Sequence, residues 1–172
     1  KTSQTDFSTG LYNRRGLFER MAVFIQAKDD EASLALAILD IDYFKKYNDE
    51  FGHLQGDICL KRIADDLLAF FDPKTSVVAR FGGEELVIVL PNVSNEEARA
   101  QLLACKRRIE ALALPSGYPE KFPYVTVSIG YAIGVYEAKD FDRFFKQADN
   151  ALYLAKNNGR NLLCGPEGFC IR

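Results

Sequence analysis

Apolar residues recur along the chain at two spacings, and the switches between them mark out the elements. Gly16 to about Lys28 carries Leu17, Met21, Phe24 and Ile25 at helical spacing, until Asp29-Asp30-Glu31 breaks the pattern. Ser33 to Leu39 is a short apolar run of strand length that ends in Asp40-Ile41-Asp42. Tyr43 to Glu50 reads as a short helix, and Phe51-Gly52-His53 as a turn. Leu54 to Phe71 follows as a long amphipathic helix with the stripe Leu60, Ile63, Ala64, Leu67, Leu68, Phe71, closed by Pro73. Ser94 with Glu97 forms a capping-box signature, which opens a helix reaching about Ala113. Tyr124 to Val135 is strand-like, with Val125, Val127 and Ile129 alternating against Thr126 and Ser128. Asp140 to Asn157 is a last helix stopped by Asn158-Gly159, and Leu162-Leu163 adds a short edge strand.

Arg80-Phe81-Gly82-Gly83-Glu84-Glu85-Leu86 sits between two β-type runs, Ser76 to Ala79 and Leu86 to Leu90. A Gly-Gly pair there predicts a tight hairpin, because a type I′ turn needs positive φ at both central positions. Both runs are apolar on each face, as in buried central strands. Acids at the mouth of such strands need a partner, a proton or a cation, unless they simply project into solvent at the hairpin tip.

The order of elements contains a βαββαβ core. It predicts an α+β, ferredoxin-like sandwich with a mostly antiparallel central sheet flanked by helices. In that topology the second hairpin strand lies antiparallel to the first strand, so Asp40 is expected beside Glu84.

At 172 residues, 48% hydrophobic and 27% charged, the chain suits one globular domain spanning residues 1–172. A net charge of −2 without a basic block argues against a nucleic-acid polymer or an anionic membrane as partner. The sequence has neither a membrane-length apolar stretch nor a signal peptide. It begins with Lys1, as expected of a piece cut from a longer, regulated protein. Cys59 and Cys105 fall in helical patterns and read as small core residues in a reducing compartment. Cys164 and Cys170 could bridge across the tail, but free thiols are expected of a cytosolic chain.

Two converging carboxylates with hard-cation character imply magnesium or manganese and phosphate substrates. Lys45, at the start of a short helix, and Lys156 and Arg160, one helical turn apart, are candidates for phosphate oxygens. Each alone would more often be a solvated charge. Asn48 and Asp57 flank the Gly52 turn, and an Asp there suits the N–H edge that guanine has and adenine lacks. Their bland readings are turn chemistry and a solvated first-turn acid. His53 reads as a helix-start residue before it reads as a base.

Asp40-Ile41-Asp42-Tyr43-Phe44-Lys45, with Asn48-Asp49, Gly52-His53 and Gly56-Asp57, resembles the first signature of the GGDEF-domain diguanylate cyclases. Arg80 to Leu86 is similar to their name-giving motif. The opening Asp6, Thr9-Gly10-Leu11-Tyr12-Asn13-Arg14-Arg15 and the closing stretch from Asp149 to Asn161 match as well. The resemblance covers nearly the whole chain.

It implies a palm-like cyclase fold that condenses two GTP molecules into cyclic di-GMP and two pyrophosphates across a homodimer in the cytoplasm. This piece could belong to a longer, membrane-bound protein without touching the membrane itself. Asp40, the Ile41 carbonyl, Glu84 and Glu85 would hold two magnesium or manganese ions. Glu84 would also take the 3′-hydroxyl proton, and Lys45 would stabilise the transition state. Asn48 and Asp57 would read guanine beside Phe44, His53 and Arg80, while Lys156 and Arg160 would grip terminal phosphates. Glu84 replaces the family's Asp and keeps the carboxylate. Leu86 replaces its Phe, and Ser8 stands where Leu is usual. The rival reading is a degenerate domain that binds GTP or cyclic di-GMP without turnover, but such domains usually lose the acids retained here.

Overall fold

The computed structural model describes residues 3–27 and 30–172. The expected end of the first helix at Lys28 and the break beginning at Asp29 lie outside the described residues.

A six-stranded sheet with the order β2-β3-β1-β4-β5-β6 organises the chain. Its central strand β1 (Ser33–Ile41) runs antiparallel to both β3 (Glu85–Pro91) and β4 (Val127–Val135). The hairpin partner β2 (Val77–Gly82) lies outside β3, giving the ferredoxin-like order expected from the sequence. Helices cover both faces because β1 is apolar on both. Ala35, Ala37, Leu39 and Ile41 pack with Leu60 and Ile63 of α3 (His53–Phe70) and Leu102 and Ile109 of α4 (Asn95–Ala111). Leu34, Leu36 and Ile38 face Leu17 and Met21 of α1 (Arg14–Ala27), and Ala148 and Leu152 of α5 (Phe141–Asn157). The short α2 (Phe44–Phe51) leaves β1 through Asp42 and Tyr43.

Two local features fix the helices. The capping box is present: Ser94 Oγ accepts from the Glu97 amide at 3.1 Å, and the Glu97 carboxylate accepts from the Ser94 amide at 2.9 Å. Gly130 in β4 lets α5 approach the sheet, since a Cβ there would overlap the Leu152 amide and the Ala148 carbonyl. That close seat brings the C-terminal end of α5 to the edge where β1 ends.

The structure differs from the sequence expectations at the hairpin and in the tail. Gly82 pairs with Glu85, leaving Gly83 and Glu84 at the centre of the turn, with a bulge between Arg80 and Gly82. Only Gly83 of the two glycines has positive φ, at 50°, so this is not the type I′ Gly-Gly turn. The fourth strand begins at Val127 instead of Tyr124, which forms only an isolated bridge to Pro115. The tail is a hairpin of β5 (Leu163–Cys164) and β6 (Cys170–Ile171), with β5 parallel to β4, so β5 is not the edge. Cys164 and Cys170 face each other in that hairpin and are joined by a disulfide, against the expectation of free thiols.

Cys59 and Cys105 are buried and free, as expected. Burial pushes their thiols up, to about 11 for Cys59 and about 12 for Cys105. Since the thiolate is the nucleophile, both should resist iodoacetamide at pH 8 in the folded chain and react fully in denaturant. Mass spectrometry of the alkylated chain checks this, and labelling of either in the native state would contradict it.

Candidate active site

The C-terminal end of β1 carries the acids. Asp40 pairs in register with Glu85 across the β1–β3 ladder, so their side chains share a face. The sequence set Glu84 beside Asp40; the bulged hairpin instead places Glu85 there and Glu84 one residue on, within the turn. The Lys156 ammonium reaches down from α5 to the Asp40 carboxylate and forms an ion pair with it. Burial pushes the Glu85 carboxyl above its ordinary range, reinforced by the negative charges of Asp40, Asp149 and Glu84, with Lys156 opposing. One cation therefore already answers a surplus of negative charge.

The α2–α3 corner forms the second part of the site. Phe44 and Asn48 lie one turn apart on α2 and face Gly56 of α3. A Cβ at position 56 would collide with Asn48 Oδ1, so glycine is required for the amide to sit there. Asn48 Oδ1 is buried and has no hydrogen-bond partner among the described residues. A buried acceptor without a donor costs roughly 1–3 kcal/mol, and a ligand N–H would relieve it. His53 and Asp57 stand one turn apart on α3, and both are solvent-exposed. Lys45 is exposed on the first turn of α2.

Arg160 does not share a helical face with Lys156 as expected, because α5 ends at Asn157. It lies in a left-handed turn at φ 66°, and its guanidinium stacks on the Tyr43 ring at 4.7 Å. Arg80 is turned toward the lead-in: it donates to the Gly83 carbonyl at 2.9 Å and to Asp6 at 3.1 Å. It therefore braces the hairpin turn. Two cavities are present among the described residues, the second of them against the hairpin turn. One of about 420 Å³ is lined by Tyr131, Asn150, Leu154 and Gly168, and one of about 520 Å³ by Arg14, Arg15, Arg80 and Gly83.

Residues 3–162 match the family model described as "Diguanylate cyclase, GGDEF domain". The chain belongs to the GGDEF family. Diguanylate cyclase DgcP of Pseudomonas aeruginosa is 42% identical over 161 residues, covering 92% of this GGDEF domain and 23% of that protein. Cyclic di-GMP phosphodiesterase PdeR of Escherichia coli is 32% identical over 162 residues, covering 94% of this chain and 24% of PdeR. The solved structure of the active GGEEF domain of a diguanylate cyclase from Vibrio cholerae superimposes with a TM-score of 0.76 at 32% identity, covering 91% of this chain and 98% of that one. The chain spans between 23% and 49% of the length of the first curated relatives it matches.

Asp40 and Glu85, side by side at the end of β1, are hard oxygen donors of the kind a magnesium ion takes. Among the described residues no three Asp, Glu, His or Cys side chains converge closely enough to hold a metal alone. Magnesium accepts such a site, because it commonly takes one or two carboxylates and completes its shell with water and substrate phosphates. Burial first, and the neighbouring negative charges of Asp40, Asp149 and Glu84 after it, push the Glu85 carboxyl up. Asp42 is the residue to which the sequence reading gave no role. It sits inside the first GGDEF signature, is only 7% exposed and accepts three hydrogen bonds.

Proposed function

We propose that the domain is a working diguanylate cyclase that joins two GTP molecules into cyclic di-GMP and releases two pyrophosphates. The observation that carries the reading is the convergence of Asp40, Glu85 and Lys156 beside Glu84, one strand end away from the orphaned Asn48 acceptor. Asp40, Glu84 and the Ile41 carbonyl, with Glu85 behind them, would hold two magnesium or manganese ions. Such ions, when bound, lower the pKa of a coordinated hydroxyl and offset charge at a reacting phosphate. The chain's own groups do the rest. Glu84 accepts the 3′-hydroxyl proton, and Asn48 holds the guanine against Phe44 with Asp57 and His53 at its rim. Lys45 offsets charge building at the α-phosphate, while Lys156 and Arg160 hold the leaving pyrophosphate. Arg80 acts through the turn that carries Glu84.

Incubating the chain with GTP and magnesium and identifying the product by mass spectrometry tests this. Cyclic di-GMP is expected. Bound GTP without product would favour the rival reading, a nucleotide-binding domain without turnover. That reading draws on the phosphodiesterase name of one relative, and it sits poorly with retention of Asp40, Glu84 and Glu85.

One chain offers one guanine site, whereas the product holds two guanines, so two copies must face each other. Specific activity is expected to rise with protein concentration until the dimer saturates. Flat specific activity at concentrations where sizing shows only monomer would contradict this. We read residues 1–172 as the catalytic unit of a longer cytoplasmic protein or cytoplasmic segment. Among the described residues no helix is long and apolar enough to cross a membrane.

A further inference from the structure

Past the end of α5 the backbone turns through Gly159, Arg160 and Asn161, all with positive φ, at 109°, 66° and 52°. Two consecutive non-glycine residues in the left-handed region persist only where the surroundings over-determine them. Here the surroundings are polar and buried. Asp42 Oδ2 accepts from the Asn161 amide at 2.9 Å and from Thr126 Oγ1 at 2.8 Å, and Oδ1 accepts from Ser128 Oγ at 2.7 Å. Ser128 Oγ also accepts from the Asn161 amide at 3.1 Å. The Asn161 side chain is gripped from the other side: its Oδ1 accepts from Lys106 Nζ at 2.7 Å, and its Nδ2 reaches Glu110 at 3.4 Å. Asp42, Lys106, Ser128 and Asn161 are 7%, 1%, 0% and 3% exposed.

The same Asp42 also lies at the entry to α2. Its own amide donates to the Thr126 carbonyl at 2.9 Å, and the next residue, Tyr43, enters α2 at φ 54°. The Tyr43 ring is the surface on which the Arg160 guanidinium lies. One buried carboxylate thus holds both the turn that presents Arg160 and the aromatic ring against which Arg160 is braced.

We infer that Asp42 is a positioning residue for phosphate recognition: it locks the Gly159–Asn161 turn so that Arg160, with Lys156 one turn back on α5, meets the terminal phosphates of the nucleotide. The inference rests on the reading above that these two cations grip those phosphates. Asp42 itself touches neither substrate nor metal. A carboxylate suits the task because it accepts only, and its three donors come from β4, from Thr126 just before that strand and from the turn at once. An amide would set an N–H against one of those donors. The guanine end is held independently, by Asn48 on α2 against Gly56 on α3.

The test compares two ligands on the intact chain by titration calorimetry with magnesium present. One is GMP. The other is a GTP analogue with a methylene bridge between the α- and β-phosphates, which cannot release pyrophosphate. The wild-type chain is expected to bind the analogue at least tenfold tighter than GMP. Asp42→Asn should shrink that gap about tenfold and leave GMP affinity within twofold of wild type. Ser128→Ala, which removes one donor at nearly constant shape, should shrink it about threefold, and it decides the matter alone if circular dichroism shows that Asp42→Asn does not fold. Variants that keep the wild-type gap overturn the inference, as do variants that lose affinity for both ligands in equal proportion. If the wild-type chain itself shows no gap, the phosphate-grip reading falls, and the inference falls with it.

Discussion

Replacing Asp40 by Asn, or Glu84 by Gln, is expected to lower turnover of GTP at least a hundredfold while leaving the fold intact. Each change keeps the shape of the side chain and removes one formal negative charge. Losing preorganised charge stabilisation at a reacting phosphate costs roughly 3 kcal/mol or more, which is a factor on the order of a hundred or above. The two variants should differ in how they affect the free protein. Asp40 is the partner of Lys156, so Asp40→Asn frees that ammonium and relieves the repulsion on Glu85 at the same time. Glu84 lies in the turn, and no hydrogen bond or ion pair to its side chain appears among the described residues, so Glu84→Gln removes only its own repulsion on Glu85 and should not lower the melting temperature. Product formation over time, with far-UV circular dichroism as the control for folding, reads both. A folded Glu84→Gln chain that works near the wild-type rate would remove Glu84 from the chemistry.

The sequence made the frame of this site legible because the frame is built from strong periods. The apolar runs of β1 and β3 read as central strands and are, and their antiparallel order followed from the βαββαβ succession. The first hairpin run read the same way, but β2 is an edge strand whose outer side meets, among the described residues, only the isolated bridge from Tyr12 to Ala79. What stayed hidden depends on register and on distant chain. Whether Glu84 or Glu85 faces Asp40 is decided by a bulge between Arg80 and Gly82, and a Gly-Gly pair reads the same with or without it. Thr126 and Ser128 read only as the polar positions of an alternating strand. They are 2% and 0% exposed, because Asp42 and Asn161 arrive from other elements to use their hydroxyls. Two-residue strands carry almost no period: Leu162-Leu163 hinted at β5, but β6, the hairpin and its disulfide left only the spacing of Cys164 and Cys170 as a trace.

The choice of base should rest on Asn48 more than on Asp57, an order that the sequence alone did not give. Asp57 is exposed on the first turn of α3, where water competes for its carboxylate, so Asp57→Asn is expected to weaken discrimination against ATP only severalfold. Asn48 Oδ1 is buried, lacks a donor among the described residues, and is held in place by the glycine opposite. Guanine brings an N–H to that acceptor, whereas the corresponding adenine ring nitrogen would set acceptor against acceptor. Sites built around a substrate's hydrogen bonds reject the analogue that lacks them by orders of magnitude. Asn48→Ala is therefore expected to lower kcat/KM for GTP about a hundredfold and to cut the preference for GTP over ATP at least tenfold. It should do so without loss of stability in the free chain, because it deletes an unsatisfied buried group that costs about 1–3 kcal/mol. Steady-state rates with GTP and ATP, together with a thermal melt without nucleotide, separate the outcomes. Lower activity with an unchanged or higher Tm marks Asn48 as a recognition group. An equal fall in Tm and activity would mark it as part of the scaffold.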